Sequence, residues 1–222
     1  MPDSTYQLPI TQTMEPTTVA DLAVLLQQAH DQTAAVYPLG GQTAIHYGLA
    51  AKRDGWGMST TKLDKIIDFP VKDLTITVEA GITMQTLNEA LANEGLMLPL
   101  DVPQQMHATL GGVISTNTNG ARRFGFGTVR DYVIGIEAVN GKGQVFHGGG
   151  RVVKNVAGYD FCKLLTGSVG TLGIITQATV KLKPLPEESV TIVVGVGDPD
   201  VAEACVAMLM ESPTVPSAIE LL

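Results

Sequence analysis

Apolar positions along this chain repeat at two spacings. Val19, Leu22, Leu25 and Leu26 recur at helical intervals, and Thr18 followed by Asp21 resembles a capping box, so a helix is expected over Val19 to His30. Val36-Tyr37-Pro38-Leu39 then reads as a short strand running into a glycine turn. Residues Gly55 to Asp73 contain a further strand-like piece, and Leu74-Thr75-Ile76-Thr77-Val78-Glu79-Ala80 alternates cleanly, predicting a half-buried strand. Thr83 is expected to cap a helix ending before Gly95, with Met84, Leu87, Ala90 and Leu91 on its apolar face. Further on, Tyr132 to Val139 and Gln144 to His147 flank Asn140-Gly141, a dipeptide favoured in tight hairpin turns with positive φ. Thr176 to Lys183 alternates again, with Ala178, Val180 and Leu182 on one face.

Pro184 and Pro186 end that strand and mark the expected boundary between residues 1–184 and 185–222. Beyond it, Val190 to Val196 predicts a strand, and Asp198 with Pro199 opens a helix whose buried stripe would be Val201, Ala204, Cys205, Met208 and Leu209. Ile219-Glu220-Leu221-Leu222 reads as a last short strand. Such a βαβ-like piece is too small to fold alone. The fold class is therefore α+β, with a short, incomplete βαβ-like piece at the C-terminal end.

Glycine makes the pattern chemical. The 222 residues include 24 glycines, more than ordinary usage, concentrated at turns between β-rich runs. Three turns stand out: Pro38-Leu39-Gly40-Gly41-Gln42-Thr43, Ala108-Thr109-Leu110-Gly111-Gly112 with Ser115 and Thr116 following, and Gly170-Thr171-Leu172-Gly173-Ile174-Ile175. Successive backbone N–H groups in such turns form anion-binding concavities, and adjacent Ser or Thr hydroxyls add donors. None of the three is a Gly-x-Gly-x-x-Gly dinucleotide fingerprint or a Walker loop.

Charge and cysteine content narrow the partners. A formal net charge of −8 and the lack of a dense basic cluster argue against nucleic acid or anionic membrane, and Arg122-Arg123 reads as a solvated pair. Cys162 and Cys205 lie far apart in apolar surroundings, as buried free thiols of a reducing compartment would. With no metal-ligand spacing, no signal-like N-terminus and no apolar run of ~20 residues, a soluble cytoplasmic protein without a metal site is expected.

Four motifs in order carry a family likeness. Thr109-Leu110-Gly111-Gly112, the Gly125-x-Gly127-x-x-Arg130-Asp131 turn, Val153-Lys154-Asn155-Val156-Ala157-Gly158-Tyr159-Asp160, and Gly167-Ser168-Val169-Gly170-Thr171-Leu172-Gly173 resemble the FAD-binding (PCMH-type) domain of vanillyl-alcohol-oxidase-type flavoproteins. Within that family the chain is most similar to FAD-binding subunits of the bacterial glycolate oxidase kind. The resemblance implies two α/β subdomains holding FAD between them, residues 1–184 forming that domain and 185–222 starting a cap domain. It implies cofactor contacts from Pro38, Leu39, Gly40, Gly41, Gln42 and Thr43 at the diphosphate. Ala108, Thr109, Leu110, Gly111, Gly112, Ser115 and Thr116 would continue around it, and Gly170, Thr171, Gly173, Ile174 and Ile175 would lie near the adenosine or the flavin ring. Leu39 and Gln42 depart from the family's usual Arg-Gly-Gly-Gly-Thr/Ser turn.

The implied activity is oxidation of a 2-hydroxy acid such as glycolate, alongside a second flavin subunit and an iron–sulfur subunit. No catalytic residue is assigned; Arg122, Arg123 and His107 are the cations near a flavin motif. The alternative is a non-catalytic FAD-binding assembly module. Valine at Gly41 or Gly111 is expected to abolish FAD retention and leave the fold largely intact.

Overall fold

The computed structural model describes residues 7–150 and 159–221. Two sheets form, each with its own core. The first has three parallel strands in the order β1-β3-β2: β1 (Ile10–Met14), β2 (Ala35–Leu39) and β3 (Gly55–Ser59). Helix α1 (Val19–Asp31) crosses between β1 and β2 and buries Leu22, Leu26 and Ala29 against Met58 and Leu63. The expected cap is present, with the Asp21 N–H donating to Thr18 Oγ1 at 3.1 Å. The Asp21 carboxylate accepts from Thr17 Oγ1 instead of reaching back to the Thr18 amide.

The second sheet is antiparallel, with five strands in the order β4-β5-β9-β7-β8. Its members are β4 (Ile66–Asp68), β5 (Thr75–Glu79), β7 (Val133–Val139), β8 (Val145–Gly149) and β9 (Ile174–Lys181). A short pair joins β6 (Leu96–Met97) to β10 (Lys183–Pro184). Helices α2 (Met84–Ala92), α3 (Leu110–Thr116), α4 (Arg123–Phe126), α5 (Val129–Tyr132) and α6 (Phe161–Leu165) lie in the connections, and α2, α3, α5 and α6 bury apolar residues in the main core with Ile76, Val78, Ala178 and Val180. Thr83 caps α2 as expected, and Gly95 takes the left-handed conformation just beyond it at φ +66°.

Three expectations change. Strand β5 is buried along Thr75 to Val78 on both faces, not half-buried. A polar face can go inside because Thr77 Oγ1 and Thr179 Oγ1 hydrogen-bond across the β5–β9 pair at 2.9 Å. The hairpin does not close on a tight Asn140-Gly141 turn. The Asn140 side chain accepts from the Lys142 and Gln144 amides, and the residue with positive φ is Gly143, at +74°.

The C-terminal piece differs most. Val190 to Val196 pairs with no strand, leaving Val190, Ile192 and Val193 more than 80% exposed, and Ile219 to Leu221 forms none either. Helix α7 (Pro199–Glu211) forms with Asp198 as its cap, but no residue of it is buried, and Val201, Met208 and Leu209 are exposed. The apolar run Val190 to Val196 finds no sheet edge among the described residues, so the helix has no sheet to cover there. Ser217 does pack on α4, its carbonyl accepting from the Gly125 amide at 3.1 Å.

Candidate functional site

The two sheets leave a cavity of about 650 Å³ between them, and the three glycine turns meet in its wall. The first turn leaves the end of β2. Leu39 carbonyl oxygen accepts from the Thr60 amide at 2.8 Å and from Thr60 Oγ1, which ties the turn to the strand beside it. Beyond that anchor, the N–H groups of Gly40, Gly41, Gln42 and Thr43 donate to no protein acceptor among the described residues. Gln42 sits at φ +58°, a left-handed conformation seldom taken by a non-glycine residue and common at ligand clamps. A Cβ on Gly41 would stand 1.6 Å from the carbonyl oxygen of His107, so the first and second turns touch backbone to backbone.

The second turn is different in kind. Its amides are already used: Leu110 donates to Ile82, Gly111 to Ala80 and Gly112 to Thr109 Oγ1. Gly111 is glycine because Ala80 packs against it, with 2.8 Å from a hypothetical Cβ to the Ala80 side chain. Leu110 is fully buried in the core and does not line the cavity, unlike the other seventeen expected contact residues. What this segment offers the cavity is a surface from Ala108, Thr109, Gly111, Gly112, Ser115 and Thr116.

The third turn packs on the first, a Cβ on Gly170 standing 3.0 Å from Pro38 Cγ. It is pinned to α3 by the Gly167 amide on Ile114 O at 3.0 Å and the Val169 amide on Ser115 O at 2.8 Å. Strand β9 then continues past its last β5 partner, Gln177, and brings Ile174 and Ile175 to the cavity. Sequence patterns did not single out Tyr47, Val102, Pro103, Ser168 or Val169 as lining residues. Only Ser168 and Val169 carried any signal, being flanked by glycines.

Among the described residues, none that lines this cavity is charged. The cations near the motifs lie elsewhere. Arg122 is partly exposed and paired: its Nε meets Asp101 Oδ1 at 2.5 Å, and its amide donates to Asp101 Oδ2 at 2.7 Å. Arg123 is exposed on α4. His107 is exposed and lines a separate recess of about 250 Å³ with Asp64, on the other side of Gly41. His46 meets Tyr47 edge-on at 5.0 Å, and Tyr47 is the one of the pair that lines the cavity.

Asp131 has a structural role. Asp131 accepts from the Thr128 amide at 2.8 Å and its hydroxyl at 2.9 Å, closing the first turn of α5, and these bonds hold its pKa below the usual carboxylate range. Cys162 is a buried free thiol pushed up to about 11 by burial, while Cys205 is half-buried. The Val153 to Gly158 part of the third family motif lies outside the described residues. Among the described residues no group of side chains could hold a metal ion, and no helix is long and apolar enough to cross a membrane.

The cavity fits a dinucleotide flavin. A turn of free amides can take a diphosphate, hydroxyls stand around it, and the walls beyond are apolar. Comparison with known proteins agrees. Residues 10–149 match the family described as FAD binding domain. A D-2-hydroxyglutarate dehydrogenase of Xanthomonas citri pv. viticola is 36% identical over 78% of this chain and 37% of its own length. Glycolate oxidase subunit GlcD of Bacillus subtilis is 32% identical over 93% of this chain and 44% of its own. For a D-lactate dehydrogenase of Archaeoglobus fulgidus the identity is 31%, over 93% and 46%. The chain thus spans less than half the length of each of these relatives. A solved alkyldihydroxyacetonephosphate synthase shares the fold, with a TM-score of 0.67 at 24% identity over 79% of this chain and 34% of that one. The chain belongs to the FAD binding domain family, and its three glycine turns wall the cavity in which that cofactor fits.

Proposed function

We propose that this chain is the flavin-holding part of a 2-hydroxy acid oxidoreductase of the glycolate oxidase type, and that it is inactive alone. The observation that carries the reading is the convergence of three glycine turns, from both sheets, on one uncharged cavity. In this reading residues 1–184 form the FAD-binding domain and 185–222 start a cap domain. The amides of Gly40 to Thr43 take the diphosphate, and Thr109, Ser115 and Thr116 offer hydroxyls beside it. Ala108, Gly111, Gly112, Gly170, Thr171, Gly173, Ile174 and Ile175 complete the walls, and Pro38 and Leu39 fix the approach of the first turn. Bound FAD supplies the hydride-accepting chemistry at a substrate α-carbon.

The chain's own part is to bind, orient and enclose. Among the described residues, no side chain lining the cavity is a base at neutral pH or a cation for a substrate carboxylate. Arg122 is committed to Asp101. In this reading the base and the carboxylate-holding cation come from outside the described lining, with a second flavin subunit and an iron–sulfur subunit as the partners it calls for. A cytoplasmic location belongs to the same proposal. The uncharged lining equally favours a second reading, a non-catalytic module that carries FAD for an assembly.

The visible spectrum of the purified protein, with and without added FAD, separates these readings. A flavin band near ~450 nm that glycolate or D-lactate bleaches supports a dehydrogenase site in the chain itself. A stable band that no hydroxy acid bleaches, until the partner subunits are added, is the expected result. If that band stays unbleached in the assembled complex, the assembly module is the better description. Without a band in excess FAD, the flavin reading is wrong.

A further inference from the structure

Ser168 stands just before the third turn and lines the cavity, yet its Oγ exposes less than 1 Å² and has no hydrogen-bond partner among the described residues. Nearly every buried polar group in a folded protein is satisfied, so an orphan beside a cavity needs a reason. Neighbouring hydroxyls have theirs. Thr60 Oγ1 donates to Leu39 O, Thr116 Oγ1 to Gly112 O, and Thr171 Oγ1 to Ser168 O.

The backbone around Ser168 is fixed on every side. Its amide donates to Leu165 O at 3.1 Å, its carbonyl accepts from the Thr171 amide at 3.0 Å, and the flanking Gly167 and Val169 amides are bonded to α3. Val169 is held at φ +52°, a conformation that costs a β-branched residue free energy and persists only when its surroundings enforce it. The turn is thus built rigidly around one hydroxyl with nothing to bind. One staggered step about χ1 is the motion left to it.

We propose that Ser168 is a cofactor-positioning residue, whose hydroxyl donates a hydrogen bond to an acceptor atom of the flavin dinucleotide and is unsatisfied only until that ligand arrives. This rests on the reading that the cavity holds FAD. A cofactor contact at Ser168 has an unusual signature, because the same hydroxyl is unfavourable in the empty protein and favourable in the loaded one.

The test compares wild type with Ser168→Ala in two measurements on the full chain: thermal unfolding of the FAD-free protein, and FAD affinity by flavin fluorescence titration. Removing an orphan should leave the FAD-free unfolding midpoint unchanged or raise it, while the Kd for FAD rises about tenfold. A Kd within about twofold of wild type, on the scale where one hydrogen bond is worth tenfold, overturns the proposal. So does a lower unfolding midpoint in the FAD-free protein, which would make the hydroxyl a structural one. Failure of the wild-type chain itself to bind FAD would refute the underlying reading and is seen separately, in the same titration.

Discussion

Replacing Gly41 by alanine tests the diphosphate turn with one methyl group. The new Cβ would lie 1.6 Å from His107 O, 2.5 Å from its carbonyl carbon and 3.2 Å from the Ala108 amide nitrogen. All three are backbone atoms, so no side chain can swing aside. One turn must retreat by at least about 1.4 Å before the closest contact reaches 3.0 Å. Hydrogen bonds tolerate donor–acceptor distances only from ~2.7 to ~3.2 Å, so amides on the displaced turn lose their phosphate partners. Losing two charge-assisted bonds at roughly 1.5 kcal/mol each gives about 3 kcal/mol. That corresponds to a Kd for FAD raised on the order of 100-fold. Forcing two backbones apart also costs folding stability, so the FAD-free protein should unfold below the wild-type temperature, with the loss of FAD affinity as the additional effect. Gly111→Ala is the control. Its methyl would press on Ala80 in the main core and cost roughly 1–3 kcal/mol of folding stability, so its unfolding temperature should fall visibly. Calorimetry with fluorescence titration decides the matter. A Gly41→Ala protein that binds FAD within about threefold of wild type would refute the placement of the diphosphate.

Three further outcomes follow from the same geometry. Val169→Gly should raise the urea midpoint of the FAD-free protein, by the equivalent of about 1 kcal/mol, because it relieves a β-branched residue at positive φ; a lower midpoint would mean that Val169 packing outweighs its strain. Asp131→Ala should cost about 1 kcal/mol at neutral pH through loss of the α5 cap. Because the folded-state pKa of Asp131 is lowered, its contribution is present above the ordinary carboxylate range and is lost as pH falls through the depressed value, so the gap between variant and wild type should close in acid. With no charged residue in the described lining of the cavity, the Kd for FAD should change less than about threefold between ~0.05 and ~0.5 M salt, whereas a steep dependence would bring a cation into the site.

Local chemistry was legible in the sequence wherever it decided the structure. Thr18 and Thr83 cap the helices expected of them, Gly95 ends α2, and β2 delivers the first glycine turn. Motif reading erred where a glycine's use depends on what packs beside it. Gly111 looked like a donor to a ligand, but Ala80 is its neighbour and its amide partner. Leu110 carried the same motif and belongs to the core. Alternation in β5 could not tell a solvent face from one where Thr77 meets a threonine 102 residues away. Val190 to Val196 has strand-like composition, but a strand also needs a free edge at the right place. Ser168 was hidden for a related reason, since an unsatisfied hydroxyl is visible only once every neighbour's partner is known.

The position of β9 sets a timetable for making the holoprotein. It is hydrogen-bonded between β5 and β7, and its first residues, with the turn before it, form one wall of the cavity. A ribosome delivers the diphosphate turn early, but the central strand of the larger sheet comes more than a hundred residues later. Until Lys181 has emerged, β5 and β7 have no strand between them, and a nascent chain presents two separate edges prone to pairing elsewhere. Cofactor capture therefore waits for β9, and overexpression under flavin shortage should yield empty but folded protein that takes up FAD afterwards.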